Sequence, residues 1–171
     1  MKQVYMIMLA AALVSAAPLF AQDKAPTRPG DIGESEFDNF KNSSFNILEE
    51  STKLDENLKH IDEEIKTYSG VMSTVSTEKI KGHYKALTGV KGEVETINSN
   101  IGELDDKGKD MLANASKITP KMKSIKATAN TKKSVEGLDA AKNKMKSITQ
   151  MLQDDMKLLG DELKSRGEPI E

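Results

Sequence analysis

The chain has 171 residues, with 27 acidic and 25 basic side chains, no Cys, no Trp and an aromatic content of 4%. Without Cys there is no disulfide framework, thiolate metal site or cysteine nucleophile. A formal net charge of -2 gives no bulk electrostatic reason to bind nucleic acid, and 30% charged residues with so few aromatics suit long exposed helices better than a thick globular core.

Residues 1–21 read as a secretory signal peptide. Lys2 supplies the positive n-region, Val4 to Val14 is almost wholly apolar, and Leu19-Phe20-Ala21 offers a cleavage site before Gln22. No Cys follows, so the segment is not a lipoprotein signal. The apolar run is shorter than the ~20 residues a spanning helix needs. The expectation is an exported protein, periplasmic or secreted, with no transmembrane span in its mature part. The segment holds 17 apolar residues, and without it the apolar fraction falls from 37% to about 31%. That is thin for a compact domain and enough for narrow helical seams. Residues 22–33 carry two Pro and two Gly and are expected to be a flexible leader.

A helix is predicted over about 34–74. Asp31 and Glu34 have the spacing of a capping box. Apolar positions then step by three and four through Phe37, Phe40, Ser44, Ile47, Ser51, Leu54, Leu58, Ile61, Ile65, Tyr68, Met72 and Val75, the mark of a coiled-coil seam. Leu48 beside Ile47 widens the stripe and favours three or more helices over a two-stranded coil. Ser69-Gly70 and the Ser/Thr run to Thr77 signal a turn, with Ser76 or Thr77 as the next cap.

A second helix is predicted over about 77–117, with a seam from Ile80 and His83 through Leu87, Val90, Val94, Ile97, Ile101, Leu104, Gly108 and Met111 to Ala115 and Ile118. Five glycines (Gly82, Gly89, Gly92, Gly102 and Gly108) lie within it, each costing about 1 kcal/mol relative to Ala. This helix therefore depends on tertiary packing. Thr119-Pro120 fits an N-cap followed by Pro at the first helical position, which places the second turn there. Met122, Ile125 and Ala129 continue the preceding register across Pro120, so a kinked helix turning near Thr131 is the alternative.

The third helix is predicted over about 120–166, with Val135, Leu138, Ala141, Met145, Ile148, Leu152, Met156, Leu159 and Leu163 following Met122, Ile125 and Ala129. The spacing slips around Asn130–Gly137 and at Asp155. Gly167 and Pro169 stop it, and 168–171 form a tail. Three helices near 40 residues, each ~60 Å long, joined by short turns, give an all-α fold: an elongated antiparallel three-helix bundle or coiled coil over 34–167.

Chemistry is sparse. Glu56, His60 and Glu63 share a helix surface, but a di-iron bundle needs Glu-x-x-His on two helices, and a solvated charged face is the simpler reading. His83 on the seam reads as a core histidine with a polar partner, a pH-sensitive spot or a frayed helix start. There is no nucleophile elbow, phosphate loop, zincin helix or haem motif. No catalytic residue, metal ligand or cofactor is assigned, and an enzyme is not expected. Met72, Met111, Met122, Met145, Met151 and Met156 read mainly as core fillers.

Charge is segregated along the chain. Residues 22–75 hold 12 acidic and 6 basic groups, whereas residues 117–146 hold nine Lys against Glu136 and Asp139. Internal complementarity with Glu103, Asp105, Asp106 and Asp110, or with Glu49 and Glu50, is one explanation. The other is a surface for an anionic partner made by Lys121, Lys123, Lys126, Lys132, Lys133, Lys142, Lys144 and Lys146. Nearly Arg-free and without interleaved aromatics, it does not suit nucleic acid. The sequence thus points to a structural or protein-interaction role in the cell envelope, through a partner protein or self-association. Binding of an envelope or anionic-membrane surface is the alternative, and a metal or small-ligand carrier a third reading.

Overall fold

The computed structural model describes residues 26–170; the predicted signal peptide lies outside them. The chain forms three α-helices, α1 (Ser35–Lys66), α2 (Thr77–Ala115) and α3 (Lys121–Ser165), with one short 3-10 turn at Met72–Thr74 and, among the described residues, no strand. The fold is an all-α three-helix bundle. At 1.5 Å per residue the 45 residues of α3 span ~68 Å. α3 packs extensively against both α1 and α2, which touch each other much less.

The helix boundaries follow local chemistry. Glu34 occupies the α1 N-cap without a side-chain cap bond. The expected Asp31/Glu34 capping box does not form, because Asp38 reaches back instead: its two carboxylate oxygens accept from the Ile32 and Gly33 amides at 2.9 and 3.0 Å. Asp31 pairs with the buried Lys41. α1 ends at Lys66, eight residues before the expected end. Gly70 takes a φ of +79°, which Gly adopts without a Cβ penalty and a helix cannot contain. The Ser76 hydroxyl accepts from the Lys79 amide at 3.3 Å and caps α2. Pro120 is itself the N-cap of α3 in place of the expected Thr119, so the helix starts at Lys121, one residue later than expected, and it runs unbroken through Thr131. The alternative turn near Thr131 is not formed. Gly167, at φ +75°, lets the Glu168 amide donate back to the Leu163 carbonyl at 3.0 Å and closes α3.

The leader and tail are fastened over their described parts. Arg28 donates to Asn46 and Glu49, Asn130 donates to the Gly30 carbonyl at 2.7 Å, and Ile32 packs on the core. A free tether is not what residues 28–33 form. At the other end Glu168 pairs with Lys81 at 2.6 Å and Ile170 packs on the core.

The α1 seam is buried from Phe37 to Leu58 and at Ile65 and Tyr68, with Ile61 half-buried. Every predicted α2 seam position is buried or half-buried. A second α1 row, Lys41, Phe45, Leu48, Asp55 and Asp62, is buried as well, and it widens the stripe so that one helix can contact two neighbours. In α3 the first turns depart from expectation. Met122 and Ile125 are 68% and 56% exposed, and Ala129 is exposed too. Their places in the core are taken by Ala127, Thr131 and Ser134. The seam then steps by three and four through Leu138, Ala141, Met145, Ile148, Leu152, Asp155 and Leu159. The apparent slips in spacing were polar residues occupying seam positions.

Candidate functional site

The Lys-rich stretch of α3 divides into two sets. Lys123 pairs with Glu34 at 2.8 Å, Lys142 with Asp105 at 2.6 Å and with Asp139 at 3.4 Å, and Lys144 with Asp55 at 3.5 Å. These three are internal ties to the acidic parts of α1 and α2. The Lys142 contact holds the Asp105 carboxyl below its ordinary range and raises the Lys142 ammonium above its own, the hydrogen bond between them being the main cause in both. Lys121, Lys126, Lys132, Lys133 and Lys146 are exposed and make no ion pair among the described residues. The eight lysines therefore do not act as one surface.

The two histidines separate as well. Glu56, His60 and Glu63 are all exposed, and among the described residues no group of three His, Cys, Asp or Glu side chains is placed to hold a metal ion. His83 is half-buried near the start of α2. Its Nε2 shares a 2.6 Å hydrogen bond with the Tyr68 hydroxyl and lies 3.6 Å from Glu64, so it ties α2 to the end of α1. Tyr68 also lies 5.1 Å beneath the Lys79 ammonium. His83 is thus a half-buried histidine with polar partners at the edge of the seam.

A feature the sequence did not single out is the weakly packed side between α1 and α2. A groove of about 660 Å³ opens there, floored by Leu54 and Ile97 and rimmed by Glu50, Asn57, Glu93 and Thr96. Gly89 and Gly92 form part of its wall, and a Cβ at either would meet nothing within 4 Å. Glycines that looked like a helix-weakening scatter thus leave open space beside an apolar floor. Its only trace in the sequence is the pair Gly89 and Gly92, three residues apart on one α2 face.

The geometry defines the class as an α-helical bundle with an open groove between α1 and α2 and a partly unpaired Lys-rich helix. No family model, curated protein or solved structure matches the chain.

Proposed function

We propose that this is an exported, non-enzymatic coiled-coil protein of the cell envelope that works by receiving a helix from another chain, a partner protein or a second copy. The observation that carries this reading is the α1–α2 groove over Leu54 and Ile97. An amphipathic helix lays its apolar face into such a groove and meets polar groups at the rims, here Glu50 and Glu93. Gly89 and Gly92 allow close approach. The export part of the reading rests on residues 1–21, and the lack of catalytic motifs supports a binding role.

The test is site-directed photocrosslinking of the full chain in cells, with the crosslinker at Glu93 or Thr96. A discrete higher-mass adduct is expected. It should disappear when Gly92→Gln fills the groove, while a crosslinker at the exposed Asp161 gives none. Equal adducts from Glu93 and Asp161, or none from either groove position with a monomer by light scattering, would overturn the reading.

A further inference from the structure

The first turns of α3 form a second surface, facing away from both other helices. Ala127, Thr131 and Ser134 point into the bundle. At 100° per residue the opposite side carries Met122, Ile125 and Ala129, an apolar strip of about two turns, all three exposed. Lys121 and Lys132 lie along one flank of that strip and Lys126 and Lys133 along the other. All four are exposed and unpaired among the described residues. Residues 111–135 contain no Asp or Glu at all. The strip is therefore flanked on both sides by lysines without ion-pair partners, and the nearest acid along the same face is Glu136, seven residues past Ala129; Lys123, Lys142 and Lys144, in contrast, are tied to carboxylates of the bundle.

We infer that this face docks on an anionic phospholipid surface. An apolar strip set between two lysine rows is the arrangement by which a helix lies in the membrane interface: the strip enters the acyl boundary and the ammonium groups reach the phosphates. The long lysine stems permit this without moving the helix. Core demand does not explain Met122 and Ile125, since neither enters the core. A groove-binding protein partner would meet the outer side of a single helix here, and a soluble polyanion would have no use for the strip. The four-lysine count is at the lower edge of what holds a protein to anionic lipid, so attachment is reversible and released by salt. This surface is separate from the α1–α2 groove, and either reading stands without the other.

Vesicle flotation of the full chain tests the inference, because residues 1–21 are common to every variant and cancel in the comparison. The probes are vesicles of mixed phosphatidylglycerol and phosphatidylcholine and vesicles of phosphatidylcholine alone, at low and high salt. Replacing the four lysines together (Lys121→Gln, Lys126→Gln, Lys132→Gln, Lys133→Gln) should lower binding to the anionic vesicles about tenfold or more at low salt. The pair Met122→Ser and Ile125→Ser should lower it several-fold, with melting temperatures unchanged because these side chains lie outside the core. The neutral vesicles should not distinguish the lysine variant from the parent. Equal flotation of parent and both variants would refute the inference. So would a lysine effect with no Met122/Ile125 effect, which marks bare polyelectrolyte attraction, or a discrete protein adduct from a photocrosslinker at Ala129, which marks a protein partner.

Discussion

Asp155 of α3 is buried beside Asp62 of α1, and its Oδ2 has no hydrogen-bond partner. Burial, and then the Asp62 charge, push the Asp155 carboxyl up to about 6; Lys66, paired with Asp62 at 2.5 Å, pulls the other way, and Asp154 adds to the rise. A carboxyl whose folded pKa exceeds its unfolded value takes up a proton in the folded state first. The fold is therefore penalised above the folded pKa, and the penalty is relieved as pH falls through about 6 toward the unfolded value near 4. Stability should rise by about 1.4 kcal/mol between pH 7.5 and 5 from this group. Asp155→Asn should be more stable than the parent at pH 7.5 and should flatten that pH dependence. Urea unfolding of both proteins across the range checks it; parallel curves would refute it.

Arg166 holds the connection between α1 and α2 from the far end of α3. Its guanidinium donates to the Met72 and Val75 carbonyls, each at 2.7 Å, and to the Thr77 hydroxyl at 3.2 Å, and is itself held by Glu162 at 2.7 Å. One planar fork thus supplies a donor to the Val75 carbonyl and a second donor to the Met72 carbonyl, which also accepts from the Val75 amide at 3.1 Å. Arg166→Met should cost about 2–4 kcal/mol, and Arg166→Lys should recover little, because a single ammonium cannot span three acceptors in fixed geometry. Denaturant unfolding measures both, and full recovery by Lys would show that charge alone matters.

Much of the architecture was legible because the α1 and α2 seams are written in large apolar residues at a steady three-four step. The end of α1 was less legible: Tyr68, Met72 and Val75 keep the period past Lys66, yet Gly70 takes a backbone conformation that no helix contains. Packing against the turn, more than helical continuity, accounts for those apolar side chains. The candidate surfaces were half-visible. The lysines stood out in sequence, but Glu34, Asp55 and Asp105, which bind three of them, are remote in the chain, and only folding shows which charges are spent internally. The α1–α2 groove was hidden because it consists of what Gly89 and Gly92 omit.

The α2 glycines should separate sharply on substitution. A Cβ at Gly102 would meet nothing within 4 Å, whereas one at Gly108 would lie 3.1 Å from the Phe40 ring and 3.2 Å from the Val135 methyl. Gly102→Ala should stabilise the protein by about 0.5–1 kcal/mol through helix propensity and a more restricted unfolded chain. Gly108→Ala gains the same propensity but must displace Phe40 or Val135, both packed in the bundle, so its gain should be cancelled or reversed. Thermal melts of the two variants test this, and an equal rise in both would mean that the Phe40 ring yields freely.

The register of early α3 admits a direct test, because two readings of one helix predict opposite effects. If the core ran through Met122 and Ile125, replacing either by Ala would open a cavity. With the seam on Ala127, Thr131 and Ser134, both side chains are largely in solvent, and Met122→Ala and Ile125→Ala should each change stability by no more than about 0.5 kcal/mol. Leu138, fully buried further along the same seam, should lose about 3–4 kcal/mol as Leu138→Ala. Ala127→Leu should also destabilise, by about 1–3 kcal/mol, because that position is fully buried and filled to the methyl. The four variants form one urea-unfolding series. Sensitivity at Ile125 with tolerance at Ala127 would rotate the helix by about 200°, the angle of two residue steps, and return the apolar strip to the core.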